Sequence, residues 1–284
     1  MLGVSLALLS ALLFGATSVA MGFAVLRSGD PEAGALITSL AGFLICGAVA
    51  LSEDWQGSVW PFFLIGLIAP GGSQLLFTLA VRDAGPARTS VIVGAAPLVS
   101  VTIALVFLSE PLQAALAVGA ILIVAGGLTI AGEGTRPEHV KLMGVVLAML
   151  ATVLFATRDA LVRWLATTST VPSLLGASCS LLASTALLAG YLAVTRRRSA
   201  THDFVRGLRP WAPAGLLWGA SYVALFEAFY HARVSVVAPL VATESLFGVV
   251  LAMILLRHSE RVGRHVLAGA LLIVAGGALI GAFR

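Results

Sequence analysis

Charge is scarce in this chain. Only 11% of its 284 residues are Asp, Glu, Lys or Arg, and Lys141 is the single lysine. No stretch is long and polar enough to form a soluble domain. The cysteines, Cys46 and Cys179, both lie inside apolar runs, which excludes a disulfide framework and a cysteine metal site. His139, His202, His258 and His265 stand in loops or at helix ends without metal-ligand spacing, so no metal is expected. No phosphate-binding glycine loop, cofactor signature or nucleophile–base constellation is present, which argues against an ATP-driven pump and against an enzyme. The first apolar run begins at Leu2 with no basic segment before it and is too long for a signal core, so no cleavable signal peptide is expected.

Apolar surface is what the chain has in excess. It is 59% hydrophobic with a mean hydropathy of +1.03. One soluble core could not hide that surface, so the lipid bilayer is the expected solvent and a multi-pass cell-membrane protein the expected class. The net charge of +4 comes from arginines placed between apolar runs, where membrane topology puts them, so no nucleic-acid partner is expected.

A spanning helix needs about 20 mostly apolar residues. Ten runs qualify: 2–26, 33–51, 59–81, 86–108, 112–131, 142–166, 172–194, 211–231, 233–256 and 264–282. Polar turns such as "RSGDPE" (27–32), "SEDWQG" (52–57) and "RRRSATHD" (196–203) separate them. Trp60, Trp164 and Trp211 fall near predicted helix ends, as interfacial anchors do.

The chain also repeats itself. At an offset of 150, residues 109–132 match 259–282 at 11 of 24 positions, including "GAILIVAGG" against "GALLIVAGG". Earlier the offset is 141, where "GVSLALLSALLF" (3–14) faces "GVVLAMLATVLF" (144–155). The nine-residue drift is a net insertion, expected mostly around 196–210. The fold expected is therefore all-α and polytopic, with ten transmembrane helices in two five-helix halves, 1–133 and 141–284. Five is odd, so each helix of the second half crosses opposite to its counterpart. Such inverted repeats serve alternating access in transporters. A duplicated inert bundle is the plainer alternative.

Short motifs add a resemblance. "LLFGATSVAM" (12–21) resembles the Trp-Gly-Ser-Asn-like first-helix motif of EamA-like permeases of the drug/metabolite transporter superfamily, with Phe14 in place of Trp. "FEAFYHARVSVVAPL" (226–240) resembles that family's stretch between helices 8 and 9. "LVFLSEPL" and "LLRHSERV" resemble its Gly-Glu-Arg signature, with Ser109 and Ser259 replacing Gly. The resemblance implies a carrier of small metabolites, commonly an exporter, but no particular substrate; the expected cargo is a small polar or amphipathic metabolite, with an amino-acid-like one among the candidates. A gradient, with protons as one candidate, would drive it. A non-transporting scaffold, an intramembrane lipid-acting enzyme and a channel are the rivals.

Charges inside the apolar runs mark candidate sites. A charge at the bilayer centre costs roughly 2.5–3.5 kcal/mol on insertion scales, so it usually faces a partner or a cavity. Glu244 lies mid-way in its run, either as a substrate-ammonium ligand or proton site, or as a structural hydrogen-bonder. Arg158 reads either as an anion clamp or as a side chain snorkelling to the interface. Asp159 is four residues before Arg163, a salt-bridge spacing. Glu227 is four before His231, suggesting a local pair. "APGGSQ" (69–74) interrupts helix 3, and Ser73 and Gln74 there are expected to line a cavity. Pro97 and Pro239 read as packing kinks, and the Gly-rich runs of helices 5 and 10 as close packing. Phe14 and Thr17 of helix 1 and Tyr222 of helix 8 complete the candidate set, with helices 1, 3, 4, 6, 8 and 9 expected around the cavity.

Thirteen basic residues fall on the side opposite the termini, including Arg27, Arg82, Arg206 and Arg209. Three, Arg163, Arg233 and Arg284, fall on the termini's side. The positive-inside rule then puts both termini outside the cytoplasm, whereas the resemblance implies cytoplasmic termini.

Overall fold

The computed structural model describes residues 2–28, 30–96, 98–99, 103, 114–131, 142–196, 199–256 and 263–282. Pro97, Ser109, Ser259, His139, His258 and the basic residues Arg136, Lys141, Arg197, Arg198, Arg257, Arg261 and Arg284 lie outside the described residues.

Among the described residues every regular element is a helix. We label them α1 (Leu2–Ser28), α2 (Pro31–Ala50), α3 (Trp60–Gly66), α4 (Ser73–Ala84), α5 (Pro86–Val93), α6 (Ala114–Ala131), α7 (Leu142–Thr168), α8 (Ser173–Thr195), α9 (Ala200–His231), α10 (Val234–Val241), α11 (Glu244–Leu255) and α12 (Arg264–Ala282). A π-helical stretch, Leu67–Gly72, joins α3 to α4. Six described segments are long and apolar enough to cross a membrane: Leu2–Arg27, Pro31–Ala50, Trp60–Ala84, Leu142–Thr168, Ser173–Thr195 and Val236–Leu255. The protein is thus an all-helical, multi-pass membrane protein.

Local chemistry sets the helix starts. Asp30 caps α2, accepting from the backbone N–H groups of Glu32 and Ala33 at 3.1 and 3.2 Å, with Pro31 at the first helical position. Gly85 takes φ +86° in the sharp turn into Pro86, a conformation glycine adopts without steric penalty. Glu53 caps α8 from a distance, its carboxylate accepting from the Leu175 N–H at 2.9 Å.

One sequence expectation needs correcting. Trp211 is fully buried against α2, not an interfacial anchor, because α9 begins at Ala200 rather than at 211. Trp60 and Trp164 are exposed near helix ends. Pro239, read from the sequence as a kink, lies within α10, and Ala242 and Thr243, both with helical backbone angles, separate α10 from α11.

The repeated segment packs on its own copy. A Cβ added to Gly126 would lie 2.7 Å from the Gly269 carbonyl oxygen, and one added to Gly276 would lie 2.5 Å from that of Gly119. Gly119 and Gly269, and Gly126 and Gly276, are equivalents at the 150-residue offset. Each contact therefore has its exchanged twin, the signature of a two-fold contact. As the number rises along α6 it falls along α12, so the helices are antiparallel and the local two-fold runs across them.

Other contacts pair the same way. Gly3 of α1 lies against Ala232 just after α9, and Gly144 of α7 lies against Asp83 and Ala84 at the end of α4. Gly34 of α2 carries the Trp211 ring from α9, and Gly176 of α8 carries the Phe62 ring from α3. α2 and α8 themselves meet through the Ser39–Ser184 hydroxyl pair at 2.7 Å.

This packing gives opposite expectations for two glycines. Gly276→Ala drives a methyl into backbone and is expected to cost about 2 kcal/mol. Gly190 has open space, so Gly190→Ala is expected to be neutral or to gain up to about 1 kcal/mol of helix propensity. Thermal unfolding in detergent compares them, and equal effects would refute the close α6–α12 contact.

Candidate functional site

The two broken helices meet at one cavity. α5 ends at Val93, four residues before Pro97, whose missing N–H could not bond the Val93 carbonyl. The ladder then tightens: Ala95 N–H bonds Ile92 O at 3.1 Å and Leu98 N–H bonds Ala95 O at 3.0 Å. The same shift follows Pro239, where Thr243 N–H bonds Leu240 O at 3.1 Å and Leu246 N–H bonds Thr243 O at 3.0 Å. Tight i→i+3 turns inside a helix mark hinges. The breaks touch, since a Cβ on Gly94 would lie 2.6 Å from the Ser245 Cβ.

Side chains from α1, α4, α5, α7, α9, α10 and α11 line the cavity beside these breaks, among them Phe14, Phe77, Val93, Phe155, Arg158, Asp159, Trp218, Ala238, Val241 and Glu244. These elements belong to the six segments expected from the sequence. Water centres fit over about 30 Å³ of it, room for about two waters and not for a metabolite.

Arg158 and Asp159 are both buried at the wall. Arg158 Nη2 and Nε donate to Asp159 Oδ1 at 2.6 and 2.9 Å, and Nη1 donates to the Tyr222 hydroxyl at 2.6 Å. The guanidinium lies 5.0 Å from the Phe155 ring centroid and 5.2 Å from that of Tyr222, within cation–π range. This corrects two expectations. Asp159 does not pair with Arg163, which instead donates to the Phe229 carbonyl at 2.7 Å. Arg158 does not snorkel, because it folds back along its own helix and has its charge met inside.

Glu244 is the first residue of α11, where the helix dipole favours a carboxylate. It is 8% exposed, and its carboxylate makes no hydrogen bond or ion pair with any described residue. It interacts electrostatically with both Arg158 and Asp159. The Trp218 Nε1–H is buried in the same wall with no acceptor among the described residues. Rings surround these groups: Phe14 to Trp218 at 5.3 Å, Trp218 to Tyr222 at 5.0 Å and Phe77 to Phe155 at 5.9 Å. Phe77, Phe155 and Trp218 were missed in the sequence. The signal was spacing: Phe155 is three residues before Arg158, and Trp218 four before Tyr222, so each pair shares a helix face.

The remaining candidates lie elsewhere. Ser73 donates to the Pro70 carbonyl at 3.3 Å, and Gln74 Nε2 to the Thr38 hydroxyl at 2.6 Å. The "APGGSQ" segment packs on α8 rather than lining the cavity, because Gly66 and Gly71 let the backbones approach. Thr17 bonds back to the Leu13 carbonyl at 2.8 Å within α1. Glu227 accepts from Ser173 and sits 3.4 Å from His231, forming the expected local pair apart from the cavity.

A family model for the EamA-like transporter family matches residues 1–132 and again 142–282. The chain belongs to the EamA-like transporter family. It is a membrane transporter of the drug/metabolite type by that membership. None of the curated proteins matches the chain significantly. A solved crystal structure shares the fold at a TM-score of 0.63 and 20% identity, with 98% of this chain and 95% of the other covered.

For this EamA-like chain the buried pair has a measurable signature. Removing one partner of a buried ion pair typically costs about 3–5 kcal/mol, while removing both is far milder. Arg158→Gln is expected to lower stability by that amount and the Arg158→Gln/Asp159→Asn double variant to recover most of it, read by unfolding in detergent. Additive losses would contradict the pairing.

Proposed function

We propose that this protein exports a small amphipathic amine in exchange for protons, by alternating access of two inverted five-helix halves that together make ten crossings. The observation that carries the reading is charge accounting in the cavity. Arg158 is committed to Asp159 and Tyr222. Among the described residues Glu244 is then the ionisable group of the wall whose carboxylate has no hydrogen-bond or ion-pair partner, among faces of aromatic rings that attract cations. A proton and an organic ammonium compete for such a carboxylate. Exchange of one for the other turns an inward proton gradient into outward transport. An amino-acid-like solute would need a free cation for its own carboxylate, and Arg158 is already occupied. Support for the inverted halves comes from the exchanged contact pairs and from the breaks placed in both halves beside one cavity. Membership in a transporter family weighs against the enzyme and scaffold readings.

We place the arginine-rich face in the cytoplasm and both termini outside. Arg27, Arg206 and Arg209 cluster at one end, and Arg163 sits by Phe229 near the other. Reactivity of a cysteine at position 206 toward an impermeant reagent in intact cells checks this.

Phenyltrimethylammonium is a suitable probe, because its fixed charge keeps it from crossing lipid unaided. Vesicles with an acidic lumen are expected to accumulate it through the wild-type protein. Glu244→Gln, equally stable, is expected to accumulate at least about tenfold less, a loss of about 1.4 kcal/mol of coupling. Unchanged, pH-dependent uptake by Glu244→Gln would eliminate the coupling role. No uptake by the wild type would eliminate the amine reading.

A further inference from the structure

Helix α9 is longer than a bilayer needs. At 1.5 Å per residue its 32 residues span about 48 Å, against about 30 Å of hydrocarbon. Its first 11 or so residues therefore rise into the headgroup layer. Phe204, Gly207 and Trp211 turn inward, Gly207 meeting Ile37 of α2. The opposite face presents Arg206 and Arg209 beside Val205 and Leu208, which are 60% and 41% exposed. Arg27, in the last turn of α1, joins them, with Leu26 exposed next to it.

Arg27, Arg206, Arg209 and Pro210 line an open cleft of about 400 Å³. Among the described residues, Asp30, Glu32 and Asp203 at this end are already engaged, surrounding Arg196 at 3.6, 3.1 and 3.7 Å. Among the described residues no carboxylate pairs with the three cleft arginines. Three guanidinium groups at headgroup depth, rimmed by apolar side chains, match a phosphate with two acyl chains beside it.

We propose that this cleft binds the headgroup phosphate of an anionic phospholipid. The arginines hold the phosphate, and Leu26, Val205 and Leu208 lie along the acyl chains. The site is separate from the central cavity and does not depend on the transport reading.

The test titrates phosphatidylglycerol into the full-length protein in neutral detergent and follows the melting temperature. A lipid that prefers the folded state raises it. The wild type is expected to gain about 3 °C or more. Each Arg→Gln change at 27, 206 or 209 is expected to shift the titration midpoint by about fivefold. Arg264→Gln, outside the cleft, is expected to leave the midpoint unchanged. Stabilisation that the triple variant retains, or that Arg264→Gln weakens equally, would overturn the site in favour of diffuse charge attraction. Stabilisation by inorganic phosphate at the same concentrations would overturn the lipid assignment. If the triple variant loses stability without lipid, Arg27→Lys, Arg206→Lys and Arg209→Lys together keep the charge. That variant is expected to retain most of the shift, and its complete loss would also overturn the phosphate site.

Discussion

An uncompensated charge cannot rest in hydrocarbon, and that constraint organises the interior. Arg158 has its charge met three times over: by Asp159, by the Tyr222 hydroxyl and by two ring faces. The pair is satisfied and close to neutral, so it can stay buried while the helices around it move. Glu244 has no such set of partners, yet it sits a few residues from a helix break and at a cavity large enough only for water. A carboxylate so placed is stable with a proton, or with a cation, or with the cavity open to bulk water. In the proposed exchange, those conditions are its successive states.

The second organising fact is that the chain meets its own repeat. Glycines at 119 and 126 seat their equivalents at 269 and 276 across an antiparallel crossing. Because these contacts are backbone-close, the α6–α12 seam is poorly placed to move. The breaks after Val93 and Val241 have tight turns instead of regular ladder. In the proposed mechanism, a stiff seam with paired breaks on the cavity side is the mechanical basis for two related conformations, each the exchanged image of the other.

Much of this was legible in the sequence because bilayer solvation leaves long apolar runs, and the repeat is written in near-identical words. The charged candidates were legible for the same reason, since Arg158, Asp159 and Glu244 are conspicuous against apolar neighbours. Their partners were less so. Adjacent residues point about 100° apart on a helix, so their spacing was no reason to pair Arg158 with Asp159, but a flexible arginine side chain spans that angle. The aromatic wall was hidden because Phe77, Phe155 and Trp218 look like ordinary core residues until three helices converge. Trp211 misled for the converse reason: a tryptophan near a predicted end became a core residue once α9 proved to start eleven residues earlier.

The central claim is that two exchanged conformations share one cavity. Spin-label pairs at Leu26 with Arg82, and at Thr167 with His231, test it most directly. All four positions are exposed, and the pairs are equivalents at the 141- and 149-residue spacings that relate Gly3 to Gly144 and Asp83 to Ala232. Distances measured in vesicles under acidic and alkaline conditions should trade: as one pair widens, the other closes. Pairs that move together, or that do not respond while the protein transports, would contradict the account.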